Sequence, residues 1–292
     1  MDDSQAPTHQ ELSRRFGFPL PITYHGLISL AFEVAPQDPW NAFEPVGLLS
    51  LHVTHANPGF DYPGHDYADT PVEVNVIGWA GVDGVHFGFI VDDLPDEPHE
   101  LPMVQCYPDI GCSLFGLTLP EFLGVFLARQ YIEEPPEETP ERRRVMQAVI
   151  ERFGVVIPDD FEAALAEVWR KRRMQGAIPT ADGCGVMLRE ETVDRSYLDS
   201  IDWPGKTEIG RRLSPPQLLD EAGRRLATGE PGTALVVARN YRHLHWYDDW
   251  KEERLIIRRT SVIMEQAYAA LGRHHLAKKI RDQTEWAVNN VR

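Results

Sequence analysis

Lysine is missing from the first 135 residues of this 292-residue chain, where 20 aspartates and glutamates stand beside only 3 arginines. The remaining residues carry 25 acidic and 26 basic side chains, so the net −16 splits into −17 and +1. An acidic surface repels nucleic acid and anionic membranes, and steers basic partners towards itself; it also maintains solubility. Cysteine is scarce too. Cys106, Cys112 and Cys184 are odd in number and form no CxxC pair, which favours buried thiols in a reducing compartment over a disulfide framework. No apolar run approaches the roughly 18 residues of a membrane helix. The opening MDDSQAPTHQ is acidic and polar, unlike a secretory leader. The expectation is a cytoplasmic protein.

Catalytic signatures are equally sparse. The chain has no GxSxG elbow, no GxxxxGK[ST] loop and no GxGxxG after a strand. Cys106 and Cys112 flank apolar, glycine-containing sequence without an obvious base. The short basic clusters at 142–144 and 171–173 lie among dense acids and read as solvated helix faces, not a nucleic-acid track. The expectation is a non-enzymatic protein without a cofactor.

What is present suggests two domains. Residues 133–141, EEPPEETPE, combine prolines that fix φ with glutamates that repel, the chemistry of an exposed linker. This places an acidic α+β domain over 1–134, a linker over 135–141 and a mainly helical domain over 142–292. In the first domain, Tyr24, Leu27, Ile28 and Ala31 recur on one helical face after Pro21. Val72, Val74 and Val76 alternate with Glu73 and Asn75 as a strand does, and 85–91 and 101–107 are further strand candidates. Thr118 can cap a closing helix over 118–131. After an irregular stretch from 176 to 213, helices are expected following Ser214-Pro215 and over 233–246, 248–271 and 274–289. Gly229 and Gly272 serve as helix stops. These are helical hairpins, and GEPGTALVVARNY and EQAYAALGRHHLAKKIRDQ are faintly similar to tetratricopeptide hairpins without their full period.

One local pattern occurs twice. RFGFPLP at 15–21 and RFGVVIP at 152–158 share Arg-Phe-Gly and a proline four residues after the glycine. Both read as a glycine stop and a proline that launches a helix. The first opens the acidic domain, and the second is expected to open something else.

The segment WAGVDGVHFGFIV at 79–91 suggests a hairpin turning through Gly81, Asp83 and Gly84 into a strand containing His86 and Gly88. This hairpin, Asp92-Asp93 after it, the 101–107 strand and the 118–127 helix together resemble the SUKH superfamily, as does the Leu-Pro-x-x-Tyr start at 20–24. That superfamily holds a fungal cell-wall-synthesis regulator and many bacterial toxin-immunity proteins. The resemblance covers about 16–131 and departs from the family in the long segment 35–70. It implies a mainly antiparallel sheet with flanking helices and a role in binding another protein. It implies no catalytic residues. The partner-binding candidates are Trp79, Asp83, His86, Asp92 and Asp93, with Gly81, Gly84 and Gly88 as turn residues. Trp79 and the glycines also read as packing and turn positions.

A weaker candidate lies in 35–70, where His52, His55 and His65 accompany aspartates and are residue types that transition metals accept. A solvated His/Asp loop is the favoured reading of them. Three functions therefore stand open: a binder of a basic protein such as a toxin effector domain, a two-domain regulatory adaptor, and a metal-dependent enzyme of unrecognised type.

Overall fold

Thr8 accepts the Glu11 N–H at 3.2 Å and so starts helix α1 (His9–Phe16). Gly17, at φ +82°, ends it by donating to the Ser13 carbonyl. Pro21 then leads into α2 (Ile22–Val34), whose Tyr24, Leu27, Ile28 and Ala31 are buried as their spacing anticipates. The computed structural model describes residues 6–47, 51, 70–79, 84–107, 110–133, 139–201, 216–244 and 250–290.

Four antiparallel strands follow, neighbours in space as in sequence: β1 (Val74–Trp79), β2 (His86–Ile90), β3 (Met103–Tyr107) and β4 (Gly111–Gly116). Gly88 opposes Val76; a β-carbon on it would meet Val74 Cγ1 at 2.5 Å and the Asn75 carbonyl oxygen at 2.8 Å. Only glycine lets the two strands approach this closely. Phe87 and Phe89 point to the face that meets the helices. Phe87 lies edge-on to Phe122 and Phe126 of α3 (Leu119–Glu133), at ring distances of 5.5 and 5.2 Å. Phe89 meets Tyr24 at 5.4 Å. Edge-to-face aromatic pairs add about 0.5–1.5 kcal/mol each beyond area burial. Full burial pushes the Tyr24 phenol far above its ordinary range. Helix α3 starts with a capping box: Thr118 accepts from Glu121 N–H, and the Glu121 carboxylate accepts from Leu117 N–H.

The core does not stop at the expected linker. Helix α4 (Pro140–Phe153) begins at Thr139, and its Val145 and Val149, with Val155 beyond it, join the same apolar cluster as α2 and α3. Arg142 is buried and donates to the Pro45 carbonyl at 2.8 Å, while Phe153 packs on Gly26. Helix α5 (Phe161–Met174) sets Phe161 edge-on to Phe115 of β4. The two compact units are therefore Met1–Asp66 with Glu73–Arg172, and Tyr67–Val72 with Arg173–Arg292. The second RFG copy ends α4 as the first ends α1, through Gly154 at φ +61°, and both lie in the first unit. That revises the expectations that a domain begins at 142 and that RFGVVIP opens another one. A helix carrying a valine stripe completes whichever core has room for it, whatever the linker before it looks like. Recounted on these bounds, the first unit holds 27 acidic and 10 basic side chains and the second 18 and 19, so the −17/+1 division survives.

The second unit holds a short antiparallel pair, β5 (Ala177–Ile178) and β6 (Val186–Met187), then α6 (Arg195–Ser200) and four longer helices. These are α7 (Pro216–Ala227), α8 (Pro231–Leu244), α9 (Trp250–Ala270) and α10 (His274–Asn290). They form two hairpins that turn in the same way. Gly229 and Gly272 take φ +89° and +79°, and the next residue donates back to the helix at 2.9 Å (Glu230 to Arg225) and 2.8 Å (Arg273 to Tyr268). Helix α8 is the centre, buried on almost every side from Pro231 to Tyr241. The chain is thus α+β, with an antiparallel sheet flanked by helices and a helical C-terminal region.

Candidate functional site

The residues singled out from sequence separate into three groups. His86 is 1% exposed, with Nδ1 donating to the Gly84 carbonyl at 2.9 Å and its ring 6.1 Å from that of Trp79. It cannot meet a partner at the surface. Asp92 is buried as well, in an ion pair with Arg172 of α5 whose side chains are 5% (Arg172) and 9% (Asp92) exposed. Both are corrected from partner-binding to structural residues: His86 lies on the face of β2 opposite Phe87 and Phe89 and is buried there too, and α5 pairs Arg172 with Asp92. Trp79 is half-buried and Asp93 exposed. Gly84, at φ +71°, makes a turn as expected. Gly81, Asp83, His52, His55 and His65 lie outside the described residues. Among the described residues, no group of three or more His, Cys, Asp or Glu side chains is arranged to hold a metal.

The cysteine expectation is also corrected. Cys106 and Cys112 oppose one another across β3 and β4, with α-carbons 4.1 Å apart, and form a disulfide. Cys184 is buried and lies outside that disulfide. The spacing of six looked unremarkable because the hairpin register, not the sequence interval, brings the two sulfurs together.

The surface feature that emerges is the β2–β3 connection, DDLPDEPHE. It is held at both ends. Asp92 pairs with Arg172, and eight residues later Glu100 accepts from the Thr23 hydroxyl at 2.7 Å and the Leu119 N–H at 3.1 Å. Between these anchors Asp93, Asp96 and Glu97 are exposed, and Leu94 is 49% exposed among them. Ile22, next to the anchoring Thr23, is 68% exposed. Lys171 on α5 binds Glu121 at 2.8 Å, and that hydrogen bond raises its ammonium above the ordinary lysine range. The loop thus carries exposed carboxylates on either side of an exposed apolar side chain, on a backbone pinned at both ends. Sequence reasoning named Asp92 and Asp93 but not Leu94, Ile22, Glu100 or Arg172. The legible signal was the Asp92-Asp93 pair after the strand; the anchors were not legible.

A second polar centre lies in the second unit. Asp182 in the β5–β6 loop is buried against Arg239 of α8, which engages it through Nε and, at 3.2 Å, Nη2. The Thr180 hydroxyl (2.7 Å) and the Cys184 N–H (3.0 Å) also donate to Asp182 Oδ1. Burial pushes the Asp182 carboxyl up, but the Arg239 charge and hydrogen bonds outweigh it and hold the group below the usual range. Ala181 N–H donates to Asn240, tying the loop to α8 a second time. This centre was not anticipated. Its traces in the sequence are the glycines of TADGCG and the spacing of Arg239, Arg242 and His243, which shares one helix face.

No protein-family model matches the chain, and no curated protein matches it.

Proposed function

We propose that the first unit is a protein-binding module that recognises a basic partner through the pinned β2–β3 loop. One observation carries this reading: exposed Asp93, Asp96 and Glu97 flank half-exposed Leu94 along a loop anchored at Asp92 and Glu100. Charges at a rim accelerate encounter and select the sign of the partner, while a central apolar side chain supplies desolvated contact. Pinning both ends lowers the entropy lost on binding. The unit's −17 extends the same bias over its surface.

The finer reading is an immunity factor that occludes the basic active cleft of a toxin effector domain, as the SUKH resemblance implies, with no catalytic step of its own. Such a factor meets its toxin in the cytoplasm. Nucleic acid, which the unit's charge repels, is not a partner in this reading. A pull-down with the full chain at near-physiological salt should return a basic protein, and co-expression should rescue cells from a toxin encoded beside it. Return of no basic partner, together with no rescue, rejects the reading.

A further inference from the structure

The disulfide of the first unit joins residues that the sheet already holds opposite one another. The β3–β4 register pairs Val104 with Leu114, Gln105 with Ser113, Cys106 with Cys112 and Tyr107 with Gly111. The bond spans a sequence separation of six. A cross-link restricts the unfolded chain more as the loop it closes grows, so a loop this short gains least from it. The same corner has a second fastening. Gln105 and Tyr107 alternate with Cys106 and occupy the other face of β3. There Arg129 of α3 donates to Gln105 Oε1 at 2.9 Å and to the Tyr107 hydroxyl. Its guanidinium also lies over the Tyr107 and Phe115 rings, 5.2 and 5.7 Å from their centroids. The sulfurs themselves have little room. Cys106 is 2% and Cys112 5% exposed, and Val104, Leu114 and His86, their neighbours on that face, are buried.

We propose that the Cys106–Cys112 bond is a reversible redox switch that tightens or loosens the turn end of the β3–β4 hairpin while the first unit stays folded. Strand pairing and Arg129 keep β3 beside β4 whether or not the sulfurs are joined. Two thiols, however, need more space than a bonded pair, and a close-packed face does not supply it. The displacement goes to the turn, where Gly111 takes φ +104°, the Ile110 N–H donates to the Tyr107 carbonyl at 3.3 Å, and Ile110 is exposed. The chemistry is thiol–disulfide exchange with a thiol reductant such as glutathione. One glutathione thiolate attacks a cysteine sulfur, which breaks the protein disulfide and forms a mixed disulfide. A second glutathione thiolate displaces the remaining protein thiolate, and glutathione disulfide leaves. Two electrons pass to the protein, and the protons of the two glutathione thiols end on Cys106 and Cys112. Glutathione disulfide reverses each step. Because the sulfurs are buried, attack requires the hairpin end to open first.

The test uses the full chain without denaturant, equilibrated in glutathione buffers of stepped potential, then acid-quenched, unfolded and alkylated for mass spectrometry. The chain has three cysteines and Cys184 lies outside the disulfide, so the expected count rises from one alkyl group to three as the buffer becomes reducing. Both new groups should map to Cys106 and Cys112, and reoxidation should remove them. Thermal unfolding of the first unit should stay cooperative in both forms. Hydrogen exchange should show amides of residues 106–107 and 110–113 losing protection on reduction, with those of β1 and α3 unchanged. Cys106→Ser combined with Cys112→Ser should reproduce the reduced pattern and ignore the buffer. A count fixed at one, even in excess dithiothreitol, overturns the proposal. So does loss of cooperative unfolding on reduction, or identical exchange in the two forms. If the double variant does not fold, the two forms of the wild-type chain still decide the question.

Discussion

Arg172 near the end of α5 donates to Asp92, two residues beyond β2, at 2.5 Å, joining residues 80 apart in a pair that is almost wholly buried. It fastens the last helix of the first unit to the base of the acidic loop. Removing one partner of a buried pair leaves an uncompensated charge, which costs about 3–5 kcal/mol, whereas replacing both with apolar groups is often neutral. Arg172→Met should therefore lower the urea midpoint of the first unit strongly, and Arg172→Met with Asp92→Leu should recover most of the loss. Equal losses in the single and double variants would show that the pair is incidental.

The acidic loop can be probed without disturbing its anchors. Asp93→Asn, Asp96→Asn and Glu97→Gln combined should slow association with the basic partner by about tenfold at low salt and flatten its salt dependence, with little change in dissociation. Leu94→Ala should do the reverse, accelerating dissociation. Stopped-flow kinetics separate the two effects.

Asp182 makes the second unit acid-sensitive in a defined direction. Its folded-state carboxyl is held below the unfolded value, so the pair's contribution is present above about pH 4 and fades as pH falls through the folded value. Hydrogen-exchange protection of α8 amides should decline over that acid range. In Asp182→Asn it should be lower at neutral pH and vary less with acid, because Arg239 then stays buried without a counter-charge.

Gly124 on α3 offers a test with an unexpected sign. Alanine normally improves a helix interior by about 1 kcal/mol over glycine. Here a β-carbon would overlap the Val156 carbonyl oxygen in the α4–α5 connection. Gly124→Ala should therefore destabilise the first unit in thermal unfolding, whereas Gly223→Ala, whose added carbon meets nothing within 4 Å, should stabilise α7.

Truncation tests where the first unit ends. A fragment of residues 1–135 lacks Val145, Val149 and Val155 from its core and Arg172 from Asp92. It should lose cooperative unfolding and expose apolar surface to dye, while 1–172 should keep a sharp thermal transition. A cooperative 1–135 fragment would return the boundary to the glutamate-proline segment.

Much of the local structure was legible in the residues. Periodicity placed α2 and its buried face, alternation placed β1, and glycines placed the helix stops at Gly17, Gly154, Gly229 and Gly272. Of the loop that carries the proposed surface, only Asp92 and Asp93 were singled out. These features depend on neighbours within a turn or a strand, and a chain records such neighbours directly. The second RFG copy shows where that legibility ends, since its local geometry followed the first copy while its place in the molecule did not.

Composition and pattern by themselves determined the α+β class, the acidic and near-neutral halves, the helical hairpins and the glycine-proline devices, because each rests on short-range sterics or on simple counting. Only the tertiary structure decided that α4 and α5 belong to the first core, that Asp92 and His86 are buried, that Cys106 meets Cys112, and that Asp182 meets Arg239. Those outcomes join residues that are distant in sequence or opposed only through strand register. The packing of whole elements selects them, and no single segment encodes that choice.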